Sequence, residues 1–218
     1  MMNSRFDEQL SLLNRELIEL GALCEEAIAV AAKSLLEGDA EKAAKVAPLR
    51  GEIEQKERSI ESLCLKLILQ QQPVARDLRQ ISAALKMITD MKRIGDQAAD
   101  MADIIAHLPG KAEAGCGLIG DMARAVIKMV TESVDAFVKH DTDLAAAVVA
   151  YDDVVDDLFE KVKAFLIGMI AEKPQNGGDA LDLLMIAKYF ERIGDHAVNI
   201  AGWVALSLAG AHKEEAEL

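Results

Sequence analysis

The sequence predicts an all-α protein built as two tandem three-helix bundles, with six long antiparallel helices related by internal duplication. Three observations carry that prediction. Apolar residues recur at three- and four-residue spacing through almost every long segment, and convincing strand alternation is absent. Hydrophobic residues make up 51% of the chain and aromatics only 4%, so the core must be aliphatic, and Ala, Leu, Glu and Lys are strong helix formers. The tetrapeptide Arg-Ile-Gly-Asp occurs at Arg93 to Asp96 and returns at Arg192 to Asp195, nearly half the chain later, the mark of a duplicated structural unit.

Each element follows from its punctuation. The first helix is expected over 5–36 and stops at Gly38-Asp39. The second, 41–71, contains Pro48, which should kink it or delay its regular start, and it ends at Gln70-Gln71-Gln72-Pro73. The third runs over 75–107. Leu108-Pro109-Gly110 through Gly120 reads as the linker, so the units are 1–107 and 120–218 with 108–119 between them. The second unit repeats the plan: helices over 120–139, 142–172 and 179–208, separated at Lys139-His140-Asp141 and at Pro174 through Asp179. Short connections make neighbours antiparallel, giving each half an up-down-up course, and Asp39 corresponds to Asp141.

In the third helix of each unit, Met91, Ile94, Ala98, Met101 and Ile105 follow 3-4 spacing, as do Phe190, Ile193, Ala197, Ile200 and Val204. Such a stripe is a packing seam. At about 100° per residue, Lys92, Asp96, Asp100 and Asp103 fall away from the first seam, and Glu191, Asp195 and Asn199 away from the second. Gly95 and Gly194 sit mid-helix, where Gly costs about 1 kcal/mol relative to Ala, so a close approach is expected there. The Met residues mostly occupy apolar helical positions and read as core filling.

The net charge of −13 argues against nucleic acid and against anionic lipid as partners. No apolar run reaches the roughly 18–20 residues that span a bilayer, and the opening residues lack the apolar region of a signal peptide. Three cysteines without a CxxC pair fit a reducing compartment, so the chain reads as cytoplasmic. Gly115 to Gly120 spells G-x-G-x-x-G but follows a helix and a proline turn rather than a strand, and reads as linker. No nucleophile–base–oxyanion set is recognisable, and the chain reads as non-enzymatic. The four His are scattered and read as surface residues rather than ligands.

The acidic helix faces are the candidate site. Asp96/Asp100 and Glu191/Asp195 stack one turn apart. The second helices add Glu52, Glu54, Glu57 and Glu61 in one unit and Asp152, Asp153, Asp156, Asp157 and Glu160 in the other. The pairs 152/156, 153/157 and 156/160 are like-charged at i, i+4, a repulsion of a few tenths of a kcal/mol each that a cation relieves. Clustered carboxylate oxygens suit hard or borderline ions, here Fe, Zn, Mg or Mn in divalent or ferric form. The alternative is a pair of ordinary solvated faces, in which Arg93 and Arg192 pair with the acids. A di-iron carboxylate bundle does not fit, because Glu191 is followed three residues later by Gly194 rather than His.

An ordered set of segments carries a resemblance across essentially the full length. They are Phe6-Asp7-Glu8-Gln9-Leu10, Gln71-Gln72-Pro73-Val74-Ala75-Arg76-Asp77-Leu78-Arg79, Leu85-Lys86 leading into the first repeat, and Tyr189 through Ala201. Together they resemble the PhoU family of bacterial phosphate uptake. The resemblance implies tandem three-helix bundles, a homodimer, and acid-x-x-x-Asp motifs that hold metal ions on outer helix faces. Carried over, these motifs are Asp96 and Asp100, then Glu191, Asp195 and Asn199, with Asp152 or Asp156 on the neighbouring helix. Lys92 stands where the family pattern expects a glutamate, which makes the second copy the better metal site. The resemblance further implies an adaptor between the ATPase subunit of a phosphate ABC transporter and a phosphate-sensing histidine kinase. In that role it is a negative regulator of the phosphate-starvation response. Two other readings stand beside it: an accessory of a different ion-coupled phosphate or metal transporter, and a carboxylate-rich metal-binding helical protein.

Overall fold

The computed structural model describes residues 2–71, 73–108 and 116–208, and among them every regular element is helical. The helices are α1 (Met2–Glu37), the short α2 (Ala40–Ala43), α3 (Val46–Gln71), α4 (Ala75–Ile105), α5 (Cys116–Lys139), α6 (Thr142–Glu172) and α7 (Gly177–Leu208), with a 3₁₀ turn at Pro174–Asn176 before the last. The predicted second helix is thus two pieces. Pro48 falls in the first turn of α3, where its missing N–H would have had no intrahelical acceptor, so it delays the regular start and does not kink the helix.

The linker expectation is corrected at one end. α5 already begins at Cys116, because Ile119, Met122 and Ala123 continue its buried stripe through Gly117 and Gly120. Residues 109–115 lie outside the described residues.

The two units, α1–α4 and α5–α7, are joined along their lengths. α4 packs most extensively on α7, α1 lies against both α4 and α5, and α5 against α7, which makes a square of four central helices. α3 covers α1 and α4 from one side, while α6 covers α5 and α7 from the other. One hydrophobic cluster runs through both halves. All ten seam positions of the third helices, from Met91 to Ile105 and Phe190 to Val204, are buried in it. Met87, Met91, Met101, Met122 and Met129 fill this core, whereas Met185 is exposed. Cys24 and Cys64 are free thiols in the same interior, and burial pushes the Cys64 thiol up to about 12.

The duplication extends to the turns. α1 ends at Gly38 (φ 67) and α5 at His140 (φ 53), both left-handed. The next N–H in each turn reaches back to close the helix, Asp39 to the Ser34 carbonyl and Asp141 to the Ala136 carbonyl, both at 2.9 Å. The same two aspartates then cap the following helices, accepting from the Lys42 and Leu144 amides at 2.9 Å.

Gly95 is required by packing. A Cβ there would lie 2.8 Å from Cδ1 and 3.1 Å from Cγ2 of Ile53, a fully buried α3 side chain. Gly194 plays the matching part against α6, where a Cβ would stand 3.2 Å from the Asp152 carboxylate. Among the described residues, no helix is long and apolar enough to cross a membrane.

Candidate functional site

Both acidic faces lie where a third helix meets the second helix of its own unit, α4 with α3 and α7 with α6. They look away from the central square of helices, but the covering helix closes over them to different degrees.

On the first face, α3 covers Asp96 so that only 8% of the residue remains exposed. Cations from this chain fill its surroundings. Arg50 Nε donates to Oδ1 at 2.9 Å, Lys92 Nζ to Oδ2 at 3.3 Å, and Arg93 Nη1 lies 3.6 Å from Oδ2. Arg50 is also within 3.9 Å of Glu54. Asp100, one turn on, has its carboxyl raised chiefly by burial, with Arg50 opposing and Asp96 and Asp103 adding to the rise. The expectation of an outward-facing acid at Asp96 is therefore corrected: Gly95 lets α3 approach closely enough to bury it, and Arg50 and Lys92 compensate its charge. Three cationic side chains, Arg50, Lys92 and Arg93, already surround this carboxylate, so a metal ion there would have to displace them.

The second face differs in kind. Burial raises the Asp152 carboxyl to about 6, and Asp156, Asp195, Glu191 and Asp153 push in the same direction. Asp195 is raised by burial and by Glu191, with Lys188 opposing and Asp156 adding. Lys188 Nζ stands against Glu191 Oε2, yet that oxygen is covered and accepts no aligned hydrogen bond. Four carboxylates from two helices thus influence one another with one lysine among them. This is the charge excess that a hard cation relieves, and the oxygen donors suit it. Among the described residues, no three His, Cys, Asp or Glu side chains already converge as a finished metal centre.

Asn199 is placed elsewhere. Successive i+4 steps overshoot a full turn, so it stands about 80° around α7 from Glu191. There its Nδ2 donates to Asp90 of α4 at 3.3 Å. Asp90 gathers two more donors from α7, His196 Nδ1 at 2.9 Å and Trp203 Nε1 at 3.0 Å. Burial alone would raise the Asp90 carboxyl, but the His196, Trp203 and Asn199 hydrogen bonds outweigh it and hold the group below its usual range. The sequence reading missed this clasp and took His196 for a surface residue. The available signal was an acid on α4 just before the first repeat and three polar groups on α7 at 3-4 spacing.

Both repeats match one family model, the PhoU domain, at residues 17–105 and 119–204. The chain belongs to the PhoU family. It is 32% identical over 211 residues to the phosphate-specific transport system accessory protein PhoU homolog of Pseudomonas aeruginosa, covering 96% of this chain and 87% of that one. The homolog from Clostridium acetobutylicum is 32% identical over 202 residues, 92% of each chain. The crystal structure of PhoU from Pseudomonas aeruginosa superposes with a TM-score of 0.88 at 33% identity, covering 94% of this chain and 99% of that chain. The fold is also that of the phosphate transport system regulatory protein PhoU from Streptococcus pneumoniae, with a TM-score of 0.84 at 24% identity. These PhoU relatives match the side-by-side arrangement of both units across nearly the whole chain.

Proposed function

We propose that this chain is a regulatory adaptor of bacterial phosphate uptake, an accessory of a phosphate-specific transport system. It acts in the cytoplasm as a homodimer, between the ATPase subunit of a phosphate ABC transporter and a phosphate-sensing histidine kinase. There it keeps the phosphate-starvation response off when phosphate is plentiful. The observation that carries this reading is similarity over both repeats to proteins named as accessories of phosphate-specific transport. A rigid helical scaffold with a shared core agrees with an adaptor's work, which is to present surfaces in fixed relation.

In the same reading, the second acidic face takes one divalent or ferric ion through Glu191, Asp195, Asp152 and Asp156. The ion would supply charge neutralisation rather than catalysis. The first face, held by Arg50 and Lys92, takes none.

The deciding experiment is alkaline phosphatase expression in a deletion strain grown in high phosphate, with and without the gene restored. High activity without the gene, silenced on its return, supports the adaptor. Normal repression without it overturns the regulatory role. A crosslinked pull-down from phosphate-replete cells that recovers neither ATPase nor kinase counts against the partners.

A further inference from the structure

Beside the clasp, α4 and α7 form a half-open cavity of about 280 Å³ whose lining includes Leu78, Arg79, Ser82, Lys86, Trp203 and Leu206. It lies near the start of α4 and the end of α7, displaced along both helices from the acidic residues. Its indole wall is fixed in place, since Trp203 Nε1 is held by Asp90.

Two features of the cavity ask for an occupant. Arg79 has two guanidinium nitrogens, Nε and Nη2, that are covered by protein and meet no acceptor among the described residues. These two nitrogens do not themselves face an occupant, but they leave the Arg79 charge uncompensated by any acid among the described residues at the wall of the cavity that the residue lines. The second feature is the apolar rim: Leu78 is 41% exposed and Leu206 57%.

Charge adds to the case. The protein as a whole carries −13, yet Arg76, Arg79 and Lys86 fall on the first turns of α4 with Asp77 as their one acidic neighbour in that stretch. A local basic site on an acidic chain selects acidic ligands against general repulsion.

We propose that this cavity is the docking site for a partner-protein segment in which a large apolar side chain stands next to an Asp or Glu. The apolar side chain fills the space against Trp203 and Leu206, and the carboxylate accepts from Lys86 beside the positive charge of the Arg79 guanidinium. The volume accommodates one such side chain, and pockets that enclose a free small molecule generally run larger, about 300–1,000 Å³. Exposed apolar residues around a small pocket are the form of an interface anchor, with a buried side chain at the centre and charged contacts beside it. A hydrated inorganic anion would gain nothing from the leucines and the indole. The proposal goes beyond the adaptor reading and does not depend on which pathway supplies the partner.

The test is to pan a random peptide phage library on the full chain and to measure the selected peptides by Trp203 emission, Trp203 being the one tryptophan of the sequence. The expected result is a consensus pairing Asp or Glu with a large apolar residue, and a saturable emission change. Binding should weaken by about tenfold or more in Lys86→Glu, with an unchanged melting temperature. Leu206→Ser, an exposed position, should weaken it independently. Failure to select peptides, selected peptides without acids, or equal binding by Lys86→Glu would each overturn the proposal. So would an emission change produced by potassium phosphate, or by phosphatidylcholine–phosphatidylglycerol vesicles, where peptides produce none. None of these readouts uses a transporter or kinase, so their failure leaves the phosphatase experiment undisturbed.

Discussion

Replacing Asp152 by Asn tests whether the second acidic face is short of positive charge. Asp152 has an ordinary value of 3.8 and stands at about 6 in the fold. A carboxyl raised in the native state binds more protons there than in the unfolded chain between those two values. Stability therefore falls as pH rises from about 4 to about 6, and the penalty is fully present above that window. At about 1.4 kcal/mol per unit the shift corresponds to roughly 3 kcal/mol, but Asp152 is only partly buried and screening reduces this to about 1 kcal/mol. Asp152→Asn should thus stabilise the metal-free protein by about 1 kcal/mol near pH 7.5 and by almost nothing near pH 4. Urea unfolding followed by circular dichroism, with chelator present, measures both values. The other raised carboxyls titrate in both proteins, so the difference between variants isolates Asp152. A loss of stability near neutral pH, or a gain of equal size at both pH values, would refute the reasoning.

Four further outcomes follow from the same geometry. Gly95→Ala puts a Cβ against buried Ile53, at an overpacking cost of about 1–3 kcal/mol offset by about 1 kcal/mol of helix propensity. A net loss of about 1 kcal/mol is expected in thermal melts, and adding Ile53→Val should recover part of it; a stabilised Gly95→Ala would show that α3 moves freely. His140→Gly relieves the left-handed backbone at φ 53, and a gain of about 1 kcal/mol should raise the melting temperature by about 2–4 °C. Metal titration by calorimetry should find one site per chain, abolished by Glu191→Gln with Asp195→Asn and unaffected by Asp96→Asn with Asp100→Asn. Arg50→Met leaves covered Asp96 with only Lys92 and Arg93, and a loss of about 1–3 kcal/mol is expected on urea unfolding.

Much of the fold could be read because it is repeated and periodic. The seam residues from Met91 to Ile105 and from Phe190 to Val204 are set by helical spacing alone, and all are buried. Gly38-Asp39 and Lys139-His140-Asp141 marked the breaks between helices, and the structure adds that both aspartates cap the helix that follows. Glycine at the same point of both motifs marked the two close approaches. Periodicity shows that a face is buried and is silent on what covers it, so the joining of α4 to α7 was out of reach. The acidic faces were legible as composition but not as chemistry. Arg50 is 46 residues from Asp96, and nothing local to either predicts their 2.9 Å contact. Asn199 looked like a third ligand because an i+4 pattern hides its angular drift, which here carries the side chain round to Asp90.

The Asp90 clasp has a consequence for how the two repeats share their work. It fastens α7 to α4 through groups that belong to neither acid pair, with His196 next to Asp195 in the chain yet gripping the other repeat. The joint between the halves thus rests on side chains outside both acid pairs, with His196 also opposing the rise of the neighbouring Asp195 carboxyl. The first half sets Arg50 and Lys92 against its acid while the second keeps an excess of carboxylates, and the joint holds both in register. Two copies of one plan thus share a joint while differing in how the charge of their acidic faces is balanced.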